Sequence, residues 1–407
     1  MSEWKEIKID QLCEAIIDCV NKTAPIVDEI TPYRMVRTTN VKDGRVDLSS
    51  TNYVTGDVFR QWTRRSTLTK GDIILTREAP LGEVGKIIDG ENLFLGQRLM
   101  MYRPDSNIVD PDFLFYAFLS KEVQHQIKSF GMGSTVEHMR VGDCSEIIIK
   151  VPSLWEQQEI GKTLDILDRK ISNLRQQNET LESIAQTLFK HWFVDFEFPN
   201  EDGKPYKSSG GAMVRSDLGD IPVGWTFGKL GDEFDIVMGQ SPAGSSYNQD
   251  GDGLIFFQGR TDFGFRFPSV RLFTSEPKRI ANKLDVLVSV RAPVGDINVA
   301  SDRCCIGRGL AAVSGKYQAY CLHKLKSYRK FFDVFESEGT VFGSLNKQNF
   351  NDLDSVIPNE EILNEFNFII SPVDRKVFIN EQQIQTLTQT RDRLLPKLMN
   401  GQLRIPE

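Results

Sequence analysis

This chain of 407 residues is poor in the residues that build metal and redox centres. Its histidines, His125, His138, His191 and His323, are scattered, and its cysteines are Cys13, Cys19, Cys144, Cys304, Cys305 and Cys321. No cysteine stands in a CxxC pair or at metal-ligand spacing from a histidine, which excludes a zinc-ribbon site or a dithiol centre. The thiols read as reduced core residues of a cytoplasmic protein. No apolar run approaches the ~20 residues a bilayer span needs, and the N-terminus MSEWKEIKID has no signal-peptide character, so no membrane is expected. Catalytic signatures are missing too: there is no GxSxG, no NPPF-like methyltransferase tetrad and no His-rich run. Gly161-Lys162-Thr163 imitates the end of a phosphate-binding loop, but position 156 is Glu where glycine is required, and the tripeptide sits in a helical pattern. Gly251-Asp252-Gly253 lacks the third glycine and the βαβ unit of a dinucleotide site. The chain is therefore expected to be no enzyme, with no catalytic residue, metal or cofactor of its own. A net charge of −7 argues mildly against nucleic acid as a lone partner, although local patches matter more than the sum.

What the chain does have is a pattern that occurs twice. From Pro152, a long helix carries the seam Ile160, Leu164, Leu167, Ile171, Leu174, Asn178, Leu181, Ala185, Leu188 and Trp192. Its steps alternate four and three, the rhythm of a helix packed along its length against another. Near the C-terminus Pro358, Phe366, Ile370, Val373, Val377, Asn380, Ile384, Leu387, Leu394 and Leu398 repeat the rhythm. The offset is constant (374 − 168 = 206, and 358 − 152 = 206), and Asp168-Arg169-Lys170 against Asp374-Arg375-Lys376 fixes the register.

The residues ahead of each helix repeat as well. In the first half, Ile73 to Thr76 reads as a buried strand ending in the turn Arg77 to Gly82, Asp43-Gly44 signals a hairpin, and Pro111 to Ser129 reads as one helix. In the second half, Asp285 to Asp296 matches Asp72 to Glu83, Ile306-Gly307-Arg308-Gly309-Leu310 matches Leu95 to Leu99, and Tyr317 to Ser337 supplies the helix. The offset shrinks toward 206 as loops differ in length, then holds. Between them, Asp195 to Gly224 has the Gly, Ser, Pro and charge of a linker.

The expected fold class is α+β: two similar mixed α/β globules separated by two long, antiparallel, coiled-coil-like helices, related by a pseudo-two-fold. The expected boundaries are 1–150 for the first globule, 151–194 for the central helix, 195–224 for the linker, 225–355 for the second globule and 356–407 for the C-terminal helix. Each helix of ~35 residues would be ~50 Å long. If the polar seam residues Asn178 and Asn380 meet, their numbers sum to 558, and so do those of Leu174 and Ile384. Pro372 falls inside the second heptad run and predicts a kink or restart there.

The loops of both globules carry residues suited to DNA. In the first these are Arg34, Arg37, Thr38, Asn40, Arg64, Arg77, Arg98 and Ser134. In the second they are Gln240, Gln258, Arg260, Arg291, Arg308, Thr340 and Asn346. Arg neutralises phosphates, and Arg, Gln and Asn can bond base edges in the major groove. Singly, each is an ordinary exposed loop residue; the case lies in their recurrence at matching places in both halves.

Several motifs together resemble the specificity subunits of type I restriction-modification enzymes, over essentially the whole chain. They are Asp220-Ile221-Pro222-Val223-Gly224-Trp225, Val288 to Gly295, Ile306 to Ala312, and Gln157-Gln158-Glu159-Ile160 leading into Leu167-Asp168-Arg169-Lys170-Ile171. Phe189-Lys190-His191-Trp192-Phe193 and Leu394 to Gly401 complete the set. The resemblance implies two target recognition domains, each reading one half of a bipartite site in double-stranded DNA, with helices that set the gap. It implies partners: two modification subunits that bind S-adenosylmethionine and methylate adenine, and restriction/translocase subunits that use ATP and Mg²⁺. The competing reading is a helical adaptor or scaffold without direct DNA readout.

Overall fold

The computed structural model describes residues 4–131, 137–337 and 344–405. Its contacts divide the chain into two units, 1–171 with 386–407, and 172–385. Both boundaries fall inside long helices, Leu154–Phe193 and Glu360–Met399.

In the first unit the main sheet runs Cys13–Asp18, Leu99–Pro104, Ile73–Arg77, Leu81–Lys86, Gly44–Val46 and Val41–Lys42. Ile73 to Thr76 are buried on both faces, which is why that stretch reads as a continuous apolar run. Ile73 and Leu75 face one core with Phe113, Phe118 and Tyr102, while Ile74 faces another with Val36, Leu93 and Met101. The expected Asp43-Gly44 turn is present, with both residues at positive φ. The single helix expected over 111–129 is two, Pro111–Leu119 and Lys121–Gly131. Ser120 breaks it: its backbone is extended, and its Oγ accepts the Val123 N–H at 3.3 Å, capping the next helix.

The second unit repeats this fold. Its sheet runs Asp235–Met238, Leu310–Ser314, Val286–Ser289 and Ile297–Val299, the order of the first four strands above. Lys5–Lys8 pairs antiparallel with Ile148–Val151 in the first unit, as Thr226–Lys229 pairs with Asp354–Ile357 in the second. Arg34–Val36 runs parallel to Leu93–Leu95, as Leu254–Phe257 does to Cys304–Ile306. Here too the single expected helix is two, Gln318–Ser327 and Arg329–Ser337, separated at Tyr328. The connector, 195–224, is structured where its composition suggested open chain. Phe198 stacks on Tyr206 at 4.5 Å and on Trp225 at 5.1 Å, and Met213–Ser216 pairs with Gly219–Pro222.

The helical seam packs as its spacing predicts. Ile160, Ile171, Leu174, Asn178, Val377, Asn380 and Ile384 are buried; Leu167, Leu181, Leu188, Val373, Leu387 and Leu394 are half-buried. In the second unit Asn380 Nδ2 donates to Asn178 Oδ1 at 2.8 Å, and Phe189 meets Phe366, so the helices run antiparallel in the predicted register. Asn178 Nδ2 donates to Glu381 Oε1 at 2.7 Å. In the first unit Ile160 and Leu164 share a core with Leu398 and Met399, and Arg391 Nη1 donates to Asp168 Oδ1 at 2.7 Å, again antiparallel. The second helix neither stops nor restarts at Pro372. That residue is exposed, on the side where water can serve the carbonyl left without its donor.

The repeated Asp-Arg-Lys has a physical reading. Its aspartate turns inward and its basic pair is exposed in both copies. Asp168 accepts from Tyr116 Oη at 2.8 Å and from Arg391. Asp374 accepts from Arg266 Nη1 at 2.7 Å. Arg266, whose side chain is 3% exposed, also pairs with Glu182, which pairs with Lys326. Burial alone would raise the Glu182 carboxyl, but the Arg266 and Lys326 charges outweigh it and hold the group down at about 2. The network ties the second globule to both helix segments of its own unit.

Candidate nucleic-acid interface

In the second unit three loops are stitched edge to edge. The Gly307 N–H bonds the Phe257 carbonyl at 2.8 Å, and the Val290 N–H bonds the Gly309 carbonyl at 2.9 Å. The approach needs glycine: a Cβ on Gly307 or on Gly309 would stand 2.9 Å from the Gln258 carbonyl oxygen. This accounts for the Ile-Gly-Arg-Gly-Leu motif. The stitching gathers exposed Gln240, Gln258, Arg260, Arg291 and Arg308 into one loop cluster. Beside it lies a groove of about 770 Å³, lined among others by Arg260, Thr261, Arg291, Asp296 and Asn298. Arg260 Nε pairs with Asp296, which also accepts from Arg329 Nη1 at 2.6 Å. Buried Asn298 donates to the Gly264 carbonyl at 2.9 Å, and its Oδ1 has no hydrogen-bond partner among the described residues. Asn346 caps the helix Lys347–Asn351, its Oδ1 accepting the Asn349 N–H at 2.8 Å. Thr340 lies outside the described residues.

The first unit has the same stitching with other side chains. The Gly96 N–H bonds the Val36 carbonyl at 2.7 Å, and the Arg77 N–H bonds the Arg98 carbonyl at 2.8 Å. Arg98 and Arg64 are exposed, and Arg98 Nε pairs with Glu78 Oε1 at 2.9 Å. Arg34, on its strand, and Thr38 are half-buried. Arg37 and Arg77 are half-buried and spend donors on the loops themselves: Arg37 Nη2 on the Ser50 carbonyl at 2.8 Å, Arg77 Nη1 on that of Met139 at 3.1 Å. Asn40 leaves the candidate set. It is 2% exposed, accepts the Arg37 N–H and donates to Ser50 Oγ, so its amide closes a turn. Ser134 lies outside the described residues. Sequence reasoning missed the carboxylates Glu78 and Asp296. The signal was there in Glu78 directly following Arg77 and in Asp296 closing the Pro-Val-Gly-Asp turn.

The family model for the type I restriction modification DNA specificity domain matches residues 1–183 and 222–389, once over each repeat and over most of the chain. The chain belongs to this family. Among similar curated proteins is the putative type I restriction enzyme MjaX specificity subunit of Methanocaldococcus jannaschii, 28% identical over 99% of this chain and 94% of that one. Another is the HindI specificity subunit of Haemophilus influenzae, 24% identical over 83% of this chain and 88% of its own length. A crystal structure of a type I restriction-modification S subunit from M. genitalium is 19% identical and aligns with a TM-score of 0.62 over 97% of this chain and 96% of that one, a likeness of fold. Membership in the specificity family makes this chain a DNA-recognition component of a type I restriction-modification system and disfavours the adaptor reading. Among the described residues of this specificity protein, no helix is long and apolar enough to cross a membrane.

Proposed function

We propose that the chain reads a split site in double-stranded DNA. Residues 1–150 and 225–355 each address one half, and the helical stretches 151–194 and 356–407 set the gap and dock two modification subunits. Restriction/translocase subunits complete the assembly in the cytoplasm. S-adenosylmethionine, ATP and Mg²⁺ belong to those partners, and this chain supplies no catalytic group. The observation that carries the reading is the doubled recognition fold, whose two copies share strand order and stitched loops but differ in the side chains those loops present. A single scaffold with two loop sets is what two unlike half-sites require. The candidates are Arg34, Arg64, Arg98, Gln240, Gln258, Arg260, Arg291 and Arg308, with Arg37, Thr38, Arg77 and Asn346 as loop supports. The charge of −7 fits a subunit that shares its grip on phosphates with partners.

The test is a footprint of the chain bound with its modification subunits, together with a map of methylated DNA in cells with and without the chain. The expected result is two protected blocks separated by an unread gap, and one bipartite methylated motif that disappears with the chain. A single continuous block, or a methylation pattern indifferent to the chain, would overturn the proposal.

A further inference from the structure

We infer that two arginines of the second unit divide the work of recognition: Arg260, oriented by the Asp296 carboxylate, reads a guanine edge, and Arg291 holds a phosphate. The inference rests on the DNA-recognition reading above and assigns a separate role to each side chain. Both line the same groove, but their surroundings differ. Arg260 pairs with Asp296 Oδ2 through Nε, so that carboxylate contact does not take up its two terminal nitrogens. Asp296 is itself fixed. Its N–H bonds Ser289 Oγ at 2.9 Å, and Arg329 Nη1 donates to its Oδ1 at 2.6 Å. Ser289 in turn donates to the Pro293 carbonyl at 2.8 Å, at the end of the buried strand Val286–Ser289. Arg291 is exposed, bridges Ser344 through its backbone, and has no ion pair among the described residues.

Those surroundings suit different ligands. Asp296, shared with Arg329, offsets only part of the Arg260 charge, but a guanidinium tied to a carboxylate adds less than a free one to the counterion release that drives phosphate binding. What the carboxylate does supply is orientation. Guanine presents O6 and N7 side by side, and only a planar fork held at a fixed angle meets both. The carboxylate also repels a phosphate placed at the same spot. The arginine of this pair is more than half exposed, so the pair contributes only modestly to folding. A phosphate, by contrast, accepts a cation from many directions, and exposed Arg291, without an ion pair among the described residues, suits that role. The first unit shows the same device with other residues: Arg98 is held by Glu78 at 2.9 Å, while Arg64 is exposed.

The test compares the full chain, assembled with its modification subunits, against Arg260→Ala, Arg260→Lys, Asp296→Asn and Arg291→Ala. Base preference is read from a randomised duplex library, and affinity is read across salt. Arg260→Ala and Arg260→Lys are expected to lower the preference for guanine at one position of one half-site by roughly 5- to 150-fold. Arg260→Lys, which keeps the charge, should leave the salt slope unchanged. Asp296→Asn should lower the same preference at the same position, which marks it as a positioning residue. Arg291→Ala should weaken all sites alike and reduce the salt slope by about 1, with the motif intact. If Arg260→Ala does not fold, Arg260→Lys and Asp296→Asn decide the matter. The inference is overturned if these two keep the full motif, or if Arg260→Ala changes the slope and not the motif. It is equally overturned if Arg291→Ala relaxes a base. A wild-type complex that selects no bipartite motif would instead bring down the underlying reading.

Discussion

Replacing Arg266 with Met should loosen the second unit more than replacing any of its exposed loop arginines. The guanidinium is almost fully enclosed and bridges Glu182 on one long helix and Asp374 on the other. Its loss leaves buried carboxylates short of a partner, and breaking a buried pair from one side costs about 3–5 kcal/mol. The Glu182 carboxyl gives the scale of the whole network, since Arg266, Lys326 and Gln186 together hold it down against burial. Its pKa falls from 4.5 to about 2 on folding. At about 1.36 kcal/mol per unit, this amounts to about 3 kcal/mol at neutral pH. Because the folded value is the lower one, the contribution is full above about 4.5 and fades as pH falls toward about 2. The assay is amide hydrogen exchange over 172–193, corrected for intrinsic rates, at pH 7 and at steps down to pH 3. Arg266→Met should speed exchange by at least about 100-fold at pH 7 and flatten the acid dependence. Protection within about threefold of wild type, or an unchanged acid profile, would refute the reasoning.

Asn178→Leu alone should cost about 1–3 kcal/mol, because it takes the 2.8 Å partner from buried Asn380, leaving it only Gln177 Oε1 at 3.4 Å, and removes the donor to Glu381; adding Asn380→Leu should recover part of that. A urea-unfolding double-mutant cycle with coupling below about 0.5 kcal/mol would contradict the pairing. Gly85→Ala should lower the melting temperature, since its Cβ would stand 2.7 Å from the Arg45 carbonyl oxygen. Gly142→Ala, with nothing within 4 Å of its Cβ, should change stability by no more than about 0.5 kcal/mol. Asp168→Asn should weaken the first unit by about 1–3 kcal/mol in the same urea assay, by removing one of the two charges that hold Arg391, Asp392 being the other.

The helices were legible in the sequence because a seam depends only on side-chain spacing, which the chain spells out directly. The Asn178–Asn380 register was legible for a related reason: two polar residues in an apolar seam have few places to go. The duplicated strands could be read because each central strand is buried on both faces and keeps its apolar run. The breaks at Ser120 and Tyr328 were hidden, since helix-forming residues flank both. Loop residues were the least legible. Arg37, Asn40 and Arg77 have the side chains of DNA contacts, but nearby carbonyls and hydroxyls claim their hydrogen-bonding groups, and such claims arise only after folding. The buried cations Arg266 and Lys324 went unnoticed for the same reason, although an arginine set between Phe265 and Phe267 was a hint.

The division of the chain bears on how it is made. Residues 172–385 form one uninterrupted segment, so that body has all its parts in a single pass of the ribosome. The other joins 1–171 to 386–407 and draws Leu398 and Met399 into its core. Its amino-terminal portion must therefore wait, with that apolar surface uncovered, while the whole of its sibling is translated. Chaperone binding during synthesis should concentrate on this early portion, though it comes off the ribosome first.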